Sequence, residues 1–331
     1  MPAKSLDVIA IGNAIVDVLT HTEESFLESH GMVKGSMQLI EEDTAHLIYA
    51  DMGPAIEASG GSAGNTAAGI ASLGGRVGFI GRVRDDQLGD VYAHDIRSIG
   101  VDFRAAAATS GPATARCFIL ITSDAERTMN TFLGASSLLS PDDIDPAFVA
   151  EAEIVYCEGY LWDLPDAKAA ITKGMDAARG AGGKVAFTLS DSFCVDRHRA
   201  EFRELVEHRV DILFANEAEI LSLYEVDSFD EAAALVAGHC EIACLTRSEK
   251  GSVVITSAGE RIAVPAHPTD VVDTTGAGDL YASGFLFGLT HGHSLMDCAR
   301  LASLAAGEVI GHVGPRPEVD LKALAATELG L

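Results

Sequence analysis

Asp279 stands in the run Val271-Val272-Asp273-Thr274-Thr275-Gly276-Ala277-Gly278-Asp279, where residue types and spacing could support proton transfer beside a bound anion. Two valines and an acid suggest the end of a buried strand. The two glycines allow a tight turn in which no Cβ separates the backbone from a ligand. Leu280, Phe285 and Leu289 then recur at helical spacing, with Gly284 and Gly288 as a small face for close packing. Strand, glycine turn and helix start aim several unpaired N–H groups, and the positive end of a helix dipole, at one spot. A phosphoryl group in transfer would be stabilised there without a cationic side chain. A carboxylate in the first helical turn can take the proton of an alcohol attacking phosphorus. Asp279 reads equally as the N-capping residue of an ordinary strand-to-helix turn.

A second glycine turn, Gly60-Gly61-Ser62-Ala63-Gly64-Asn65, enters a small-residue helix that reaches about Leu73. Asn65 both donates and accepts, which suits a polyhydroxy ligand; the alanines around it also read as tight helix–sheet packing. Asp17 follows the apolar run Asp7–Ile11 and the Gly12-Asn13 break. Ligands of open parallel sheets gather at the carboxyl ends of such strands, although Asp17 alone could be a solvated turn acid.

These groups need a frame, and 331 residues suffice for one large α/β domain with an addition. The net charge of −26 argues against nucleic acid and against an anionic membrane surface. Six scattered cysteines form no zinc-binding pattern and read as reduced core thiols. The first twelve residues carry one lysine and an apolar run too short for a signal peptide, and no run approaches membrane-spanning length. A cytoplasmic protein is expected.

From residue 154 onward strands and helices alternate: 154–157, 165–179, 185–189, 199–206, 212–215, 217–224, 229–237 and 243–246. Residues 251–256 and 261–264 read as an antiparallel pair. Such alternation predicts right-handed crossovers and an α/β fold, with a mainly parallel central sheet and helices on both faces. Residues 115–122 and 127–133 read as a hairpin about 123–126. With the weakly patterned stretch 19–59 it would form a small β-sheet lid. The expected large domain takes residues 1–18, 57–107 and 136–331, and the lid about 19–56 and 108–135.

Asp-Thr-Thr-Gly-Ala-Gly-Asp at 273–279 closely resembles the C-terminal signature of the ribokinase-like (PfkB) carbohydrate kinases, and the resemblance extends over nearly the whole chain. It implies a ribokinase-like fold with Asp279 as base and the backbone of Gly276, Ala277 and Gly278 as anion hole. Asp17 and Asn65 would hold sugar hydroxyls, with Gly60 and Gly61 lining the pocket. Asn216-Glu217-Ala218-Glu219 matches the family's Asn-x-x-Glu element, through which Asn216 and Glu219 would organise the Mg²⁺ of Mg-ATP, largely via water. Alone, that tetrapeptide is also a helix start. Thr246 and Gly251 would flank the nucleotide, and Arg127 would face its phosphates. Asp273 and Thr275 fall where some members bind a monovalent cation such as K⁺. No Walker A sequence is present.

Within the family the chain resembles the adenosine kinase branch at three places: residues 12–17, 37–41 and 127–135. This implies adenosine as acceptor, phosphorylated at its 5′-hydroxyl. Asn13, Ile15, Gln38, Met129, Leu161 and Phe193 would then lie around the nucleoside. The same apolar residues read alternatively as lid and core filler. Ser248 stands where the family usually has glycine, and Leu161 where a second aromatic would complete a purine clamp. A sugar kinase for ribose or fructose is the alternative within the class; a catalytically silent sugar- or nucleotide-binding protein is the alternative outside it. The expected partners are a nucleoside or sugar and ATP, for a monomer or homodimer.

Overall fold

The computed structural model describes residues 4–124 and 126–331. Residues 1–3 of the N-terminal stretch and Ala125 of the expected turn at 123–126 lie outside that range. Along the described chain run the strands β1 Leu6–Ile11, β2 Ile15–His21, β3 Met37–Leu39, β4 Ile56–Gly60, β5 Val77–Ile80, β6 Asp102–Phe103 and β7 Ala115–Ile121. They are followed by β8 Arg127–Phe132, β9 Ala152–Glu158, β10 Lys184–Thr188, β11 Ile212–Asn216, β12 Ile242–Thr246, β13 Ser252–Thr256 and β14 Arg261–Val264.

Nine of these form one sheet in the order β14-β13-β12-β11-β10-β9-β1-β5-β6. Its ladders are parallel as far as β12; at one edge β13 runs antiparallel to β12, and β14 antiparallel to β13. Both faces are covered, so successive side chains enter different cores. Ile9 and Ile11 of β1, and Leu213 and Ala215 of β11, pack on one side. Val8 and Ala10, with Ile212 and Phe214, pack on the other. That is why these strands read as unbroken apolar runs rather than alternating ones. The helices Pro165–Gly180 and Ser192–His208 supply the first core. The helices Ser62–Ser72, Ala277–Thr290 and Leu295–Val309 face the second. Gly284 does the close packing expected of it: a Cβ there would meet Ala302 of the next helix at 2.7 Å.

The second sheet has the order β3-β8-β7-β2-β4. The hairpin of β7 and β8 is antiparallel, as expected. The sheet takes in residues that the sequence reading gave to the large domain, because β2 begins at Ile15 and β4 runs to Gly60. The reason is period-two burial. Val16 and Val18 pack with Leu27, Ile48 and Phe118 on the outer side. Ile15 and Leu19 pack with Ile119 and Met129 on the inner side. Asp17 shares that inner face, so it is a strand residue and not a turn acid. The helix expected from Arg199 starts earlier, at Ser192, where the Asp191 carboxylate accepts from Cys194 N at 2.6 Å. It kinks at His198.

Candidate functional site

Gly276 sits at φ 81°, left-handed backbone that glycine adopts freely, and a Cβ there would meet Pro315 at 2.8 Å. The helix proper begins at Ala277, whose N–H reaches back to Thr274 O at 3.3 Å. The N–H groups of Gly278 and Asp279 have no partner inside the helix by its own geometry. A Cβ on Gly278 would meet nothing within 4 Å, because this residue faces open cavity. Asp279 makes no cap to its own helix. Its carboxylate turns to the helix Ser62–Ser72, accepting from Ser62 Oγ at 2.6 Å and Asn65 Nδ2 at 2.9 Å. Burial pushes it up to about 6, against the lowering by Ser62, Asn65 and the nearby Arg316. A buried carboxylate in that range is ionised at neutral pH and still basic enough to take a proton.

Asp17 reaches the same cavity from β2. Burial raises it to about 7, opposed by Arg316 and Arg127 and reinforced by the charge of Asp279. Gly60 does not line the cavity; it makes room for Asp17, whose carboxylate oxygen would lie 2.3 Å from a Cβ at that position. Gly61 lines the cavity at φ 85°. Asn65 is held at both ends of its amide, since its Oδ1 accepts from Arg316 Nε at 2.9 Å.

Two cavities meet at this turn, of about 370 and about 750 Å³. Asn216, Thr246, Thr274, Ala277, Gly278 and Tyr281 border both. Asn65 and Asp279 line the smaller cavity from the large sheet's helices, and on the lid side Asp17 stands among the apolar Ile15, Cys117, Ile119 and Met129, paired with Cys117 in the register of β2 and β7. The larger cavity runs past Ser248 and Gly251 to Pro268, Ala306 and Ile310. Ser248 has φ 51°, so the position where the family usually has glycine does need left-handed backbone here.

Asn216 and Glu219 form a full capping box, with Asn216 Oδ1 accepting from Glu219 N at 2.9 Å and Glu219 Oε2 from Asn216 N at 3.0 Å. Both also line the smaller cavity, so the helix-start reading and the site reading hold together. Burial, reinforced by Asp191, raises Glu219 to about 7, and no cationic side chain offsets it. A carboxylate short of positive charge in the smaller cavity, bonded to Asn216 where the two cavities meet, suits a hydrated divalent cation.

Asp273 and Thr275 do not suit a monovalent cation in this arrangement. The Asp273 carboxylate accepts from Thr275 N at 3.1 Å, Thr275 Oγ1 at 2.8 Å and Gly314 N at 3.0 Å, and it is ion-paired with Arg127. Arg127 also donates to Thr275 Oγ1 at 3.2 Å. The lid arginine thus already meets both side chains with its positive charge.

Besides Gly60, four residues expected around the acceptor lie away from the cavity. Asn13 is consumed internally: its Nδ2 donates to Glu158 at 2.6 Å and its Oδ1 accepts from Ser136 at 2.8 Å. Gln38 pairs with Asn130 in the register of β3 and β8, which sets it on the lid's outer face, whereas Met37 and Met129 share the inner one. Leu161 is buried in the core beneath the helix Pro165–Gly180. Phe193 is 73% exposed in the first turn of its helix. Tyr160, one residue from Leu161, lines the cavity instead. Sequence reasoning also missed Ser62, Glu158 and Arg316. Ser62 lay inside a glycine turn already singled out. Glu158 is an acid closing the apolar strand β9, whereas the buried strand expected before Asp273 does not form: Val271 and Val272 are exposed in irregular backbone. Arg316 had only its Pro-Arg-Pro setting to mark it.

The family description "pfkB family carbohydrate kinase" matches residues 56–321. The fold superposes on the solved structure of adenosine kinase from Sinorhizobium meliloti with a TM-score of 0.89 and 54% identity, covering 97% of this chain and 99% of the other. A "probable sugar kinase protein" from Rhizobium etli CFN 42 gives a TM-score of 0.90 and 50% identity, covering 99% of both chains. Among curated proteins, a 5-dehydro-2-deoxygluconokinase from Shouchella clausii is 28% identical over 316 residues, 93% of this chain and 90% of that protein.

Proposed function

The chain belongs to the pfkB family of carbohydrate kinases and is a phosphotransferase with an alcohol acceptor, and on that premise we propose that it transfers the γ-phosphoryl group of ATP to the 5′-hydroxyl of adenosine, giving AMP. The observation that supports a nucleoside is the mixed lining of the smaller cavity. Hydroxyl-binding Asn65 and Asp279 lie on its large-sheet side, and Asp17 stands on the lid among the apolar Ile15, Cys117, Ile119 and Met129. A sugar alone needs the polar groups; a base attached to the sugar uses the apolar ones. Likeness to the Sinorhizobium meliloti adenosine kinase over nearly the full length supports the same reading.

In this reading Asp17 accepts hydrogen bonds from ribose hydroxyls and fixes the ring, so that the 5′-oxygen lies beside Asp279. The larger cavity holds ATP with its phosphates toward Gly278. The N–H groups of Gly278 and Asp279 stabilise the charge that spreads over the transferring phosphoryl oxygens. Because the transition state is loose, the alcohol proton leaves late, and Asp279 takes it without having to be a strong base. Asn216 and Glu219 would hold Mg²⁺ through water, and the ion would neutralise phosphate charge. Positioning and charge stabilisation carry most of the rate.

A sugar acceptor is favoured by a different observation: the 5-dehydro-2-deoxygluconokinase and sugar kinase descriptions among the relatives. A panel of adenosine, other nucleosides, ribose, fructose and 5-dehydro-2-deoxygluconate, each with Mg-ATP, separates the two. Adenosine should show the highest kcat/KM. Much more efficient phosphorylation of any of the sugars would end the adenosine assignment and leave the kinase.

A further inference from the structure

Arg316 is partly buried behind the candidate base and borders neither cavity. It comes from the loop after the helix Leu295–Val309 and is anchored on β4, with Nη2 donating to Ser59 O at 2.5 Å and Ser59 Oγ at 3.1 Å. Ser59 is itself fixed by Asp95, which accepts from its N–H at 2.7 Å and its Oγ at 2.6 Å. Gly64 leaves room for this arrangement: a Cβ there would fall between Tyr92 and Arg316, 3.1 Å from the tyrosine hydroxyl and 3.7 Å from Nη2.

Arg316 Nε donates to Asn65 Oδ1 at 2.9 Å, and Asn65 Nδ2 donates to Asp279 Oδ2 at 2.9 Å. A guanidinium can only donate, so the amide oxygen of Asn65 must face it. The NH₂ group is then left pointing at Asp279. Flipping the amide would set NH₂ against guanidinium and oxygen against carboxylate, losing both bonds and adding two repulsions. We infer that Arg316 is a positioning residue, which fixes the Asn65 amide so that it always presents a donor to Asp279 and supplies the positive charge that keeps this base ionised.

The charged and titratable groups around Asp279 come from four elements. Asp17 on β2, Glu158 and Tyr156 on β9, and Tyr160 after it are acidic or neutral, with Arg127 of β8 facing Asp17. Arg316 is the cation whose attraction lowers Asp279. Removing it leaves only the hydrogen bonds from Ser62 and Asn65 to favour the ionised carboxyl against burial.

This inference rests on Asp279 as the base, so its test reads the carboxyl directly in the free protein, independent of any acceptor. The ¹³Cγ resonances of aspartate-labelled protein are followed against pH, with Asp279→Asn assigning the signal. The wild-type midpoint should lie near 6. In Arg316→Met it should rise by about one unit or more, leaving about half or less of the base ionised at pH 7, so kcat for the best acceptor should fall about twofold or more. Arg316→Lys, which keeps the charge, should move the midpoint less and recover part of kcat. A midpoint unmoved in a folded Arg316→Met protein overturns the role. So does an equal shift in the methionine and lysine variants, since charge would then be irrelevant. Should no acceptor be phosphorylated by wild type, the proposed function fails while the titration still decides the role of Arg316.

Discussion

At the scale of single residues, Asp279 and Asp17 share one small cavity and are both raised by burial, to about 6 and about 7. Raised carboxyls hold their protons to higher pH, and only the ionised form of Asp279 can act as base. The acid limb of kcat/KM should therefore bend near pH 6, with activity roughly tenfold lower at pH 5 than on the plateau. Since the two groups interact, the limb belongs to the pair. A profile flat down to pH 4.5 would contradict a base in this environment. Asp279→Asn keeps the bonding shape and removes the proton acceptor. Its kcat should drop by roughly two orders of magnitude or more, while acceptor binding measured by calorimetry persists. Turnover near the wild-type rate would reduce Asp279 to a structural partner of Ser62 and Asn65.

Among the elements, the helix Ala277–Thr290 and its entry turn separate two uses of glycine. At Gly278 there is open space where the side chain would go, so Gly278→Val should fold with an unchanged thermal melt and lose activity by blocking the phosphate. At Gly276 the backbone is left-handed and Pro315 stands 2.8 Å from the missing Cβ. Gly276→Val should therefore cost stability as well, on the order of 1–3 kcal/mol, visible as a lower Tm. If both variants melt like wild type and work, the backbone cradle is wrong. The lid sheet makes the matching test of specificity. Ile119→Ala removes apolar wall from the smaller cavity, worth about 1–3 kcal/mol, so it should damage adenosine use far more than any residual ribose use. Equal damage to both would favour a sugar acceptor.

For the whole molecule, four buried carboxyls with raised values (Asp17, Glu158, Glu219 and Asp279) lie around the site. In the unfolded chain such groups titrate near about 4. Between there and 7 the folded protein binds more protons than the unfolded one. Stability is thus fully present on the acid side and lost as pH rises through about 7. The melting temperature should fall between pH 5 and pH 8, and Asp17→Asn should fall less because it no longer ionises. A wild-type Tm that rises over this interval would show that these carboxyls are better compensated than their surroundings indicate. The site accepts that loss of stability because it needs dry, poorly paired acids, which is where function and stability diverge.

The chain by itself determined the layered sheet, because strands buried on both faces must be apolar throughout and helices must alternate with them. It also determined the two glycine turns, with Asp279 after one and Asn65 after the other, since only particular residue types can bring backbone to an anion. Pairing across the chain was beyond its reach. Asn13 and Phe193 sat in the right neighbourhoods, yet which side chain faces a cavity depends on register and on helix phase. One residue of register turned Gln38 outward while Met129 faced in, and one step along a turn exchanged Leu161 for Tyr160. The bond from Arg316 to Asn65 spans 251 positions. A contact of that separation leaves no local pattern of spacing or periodicity, so only the folded chain, by closing its C-terminal loop onto β4, could decide it.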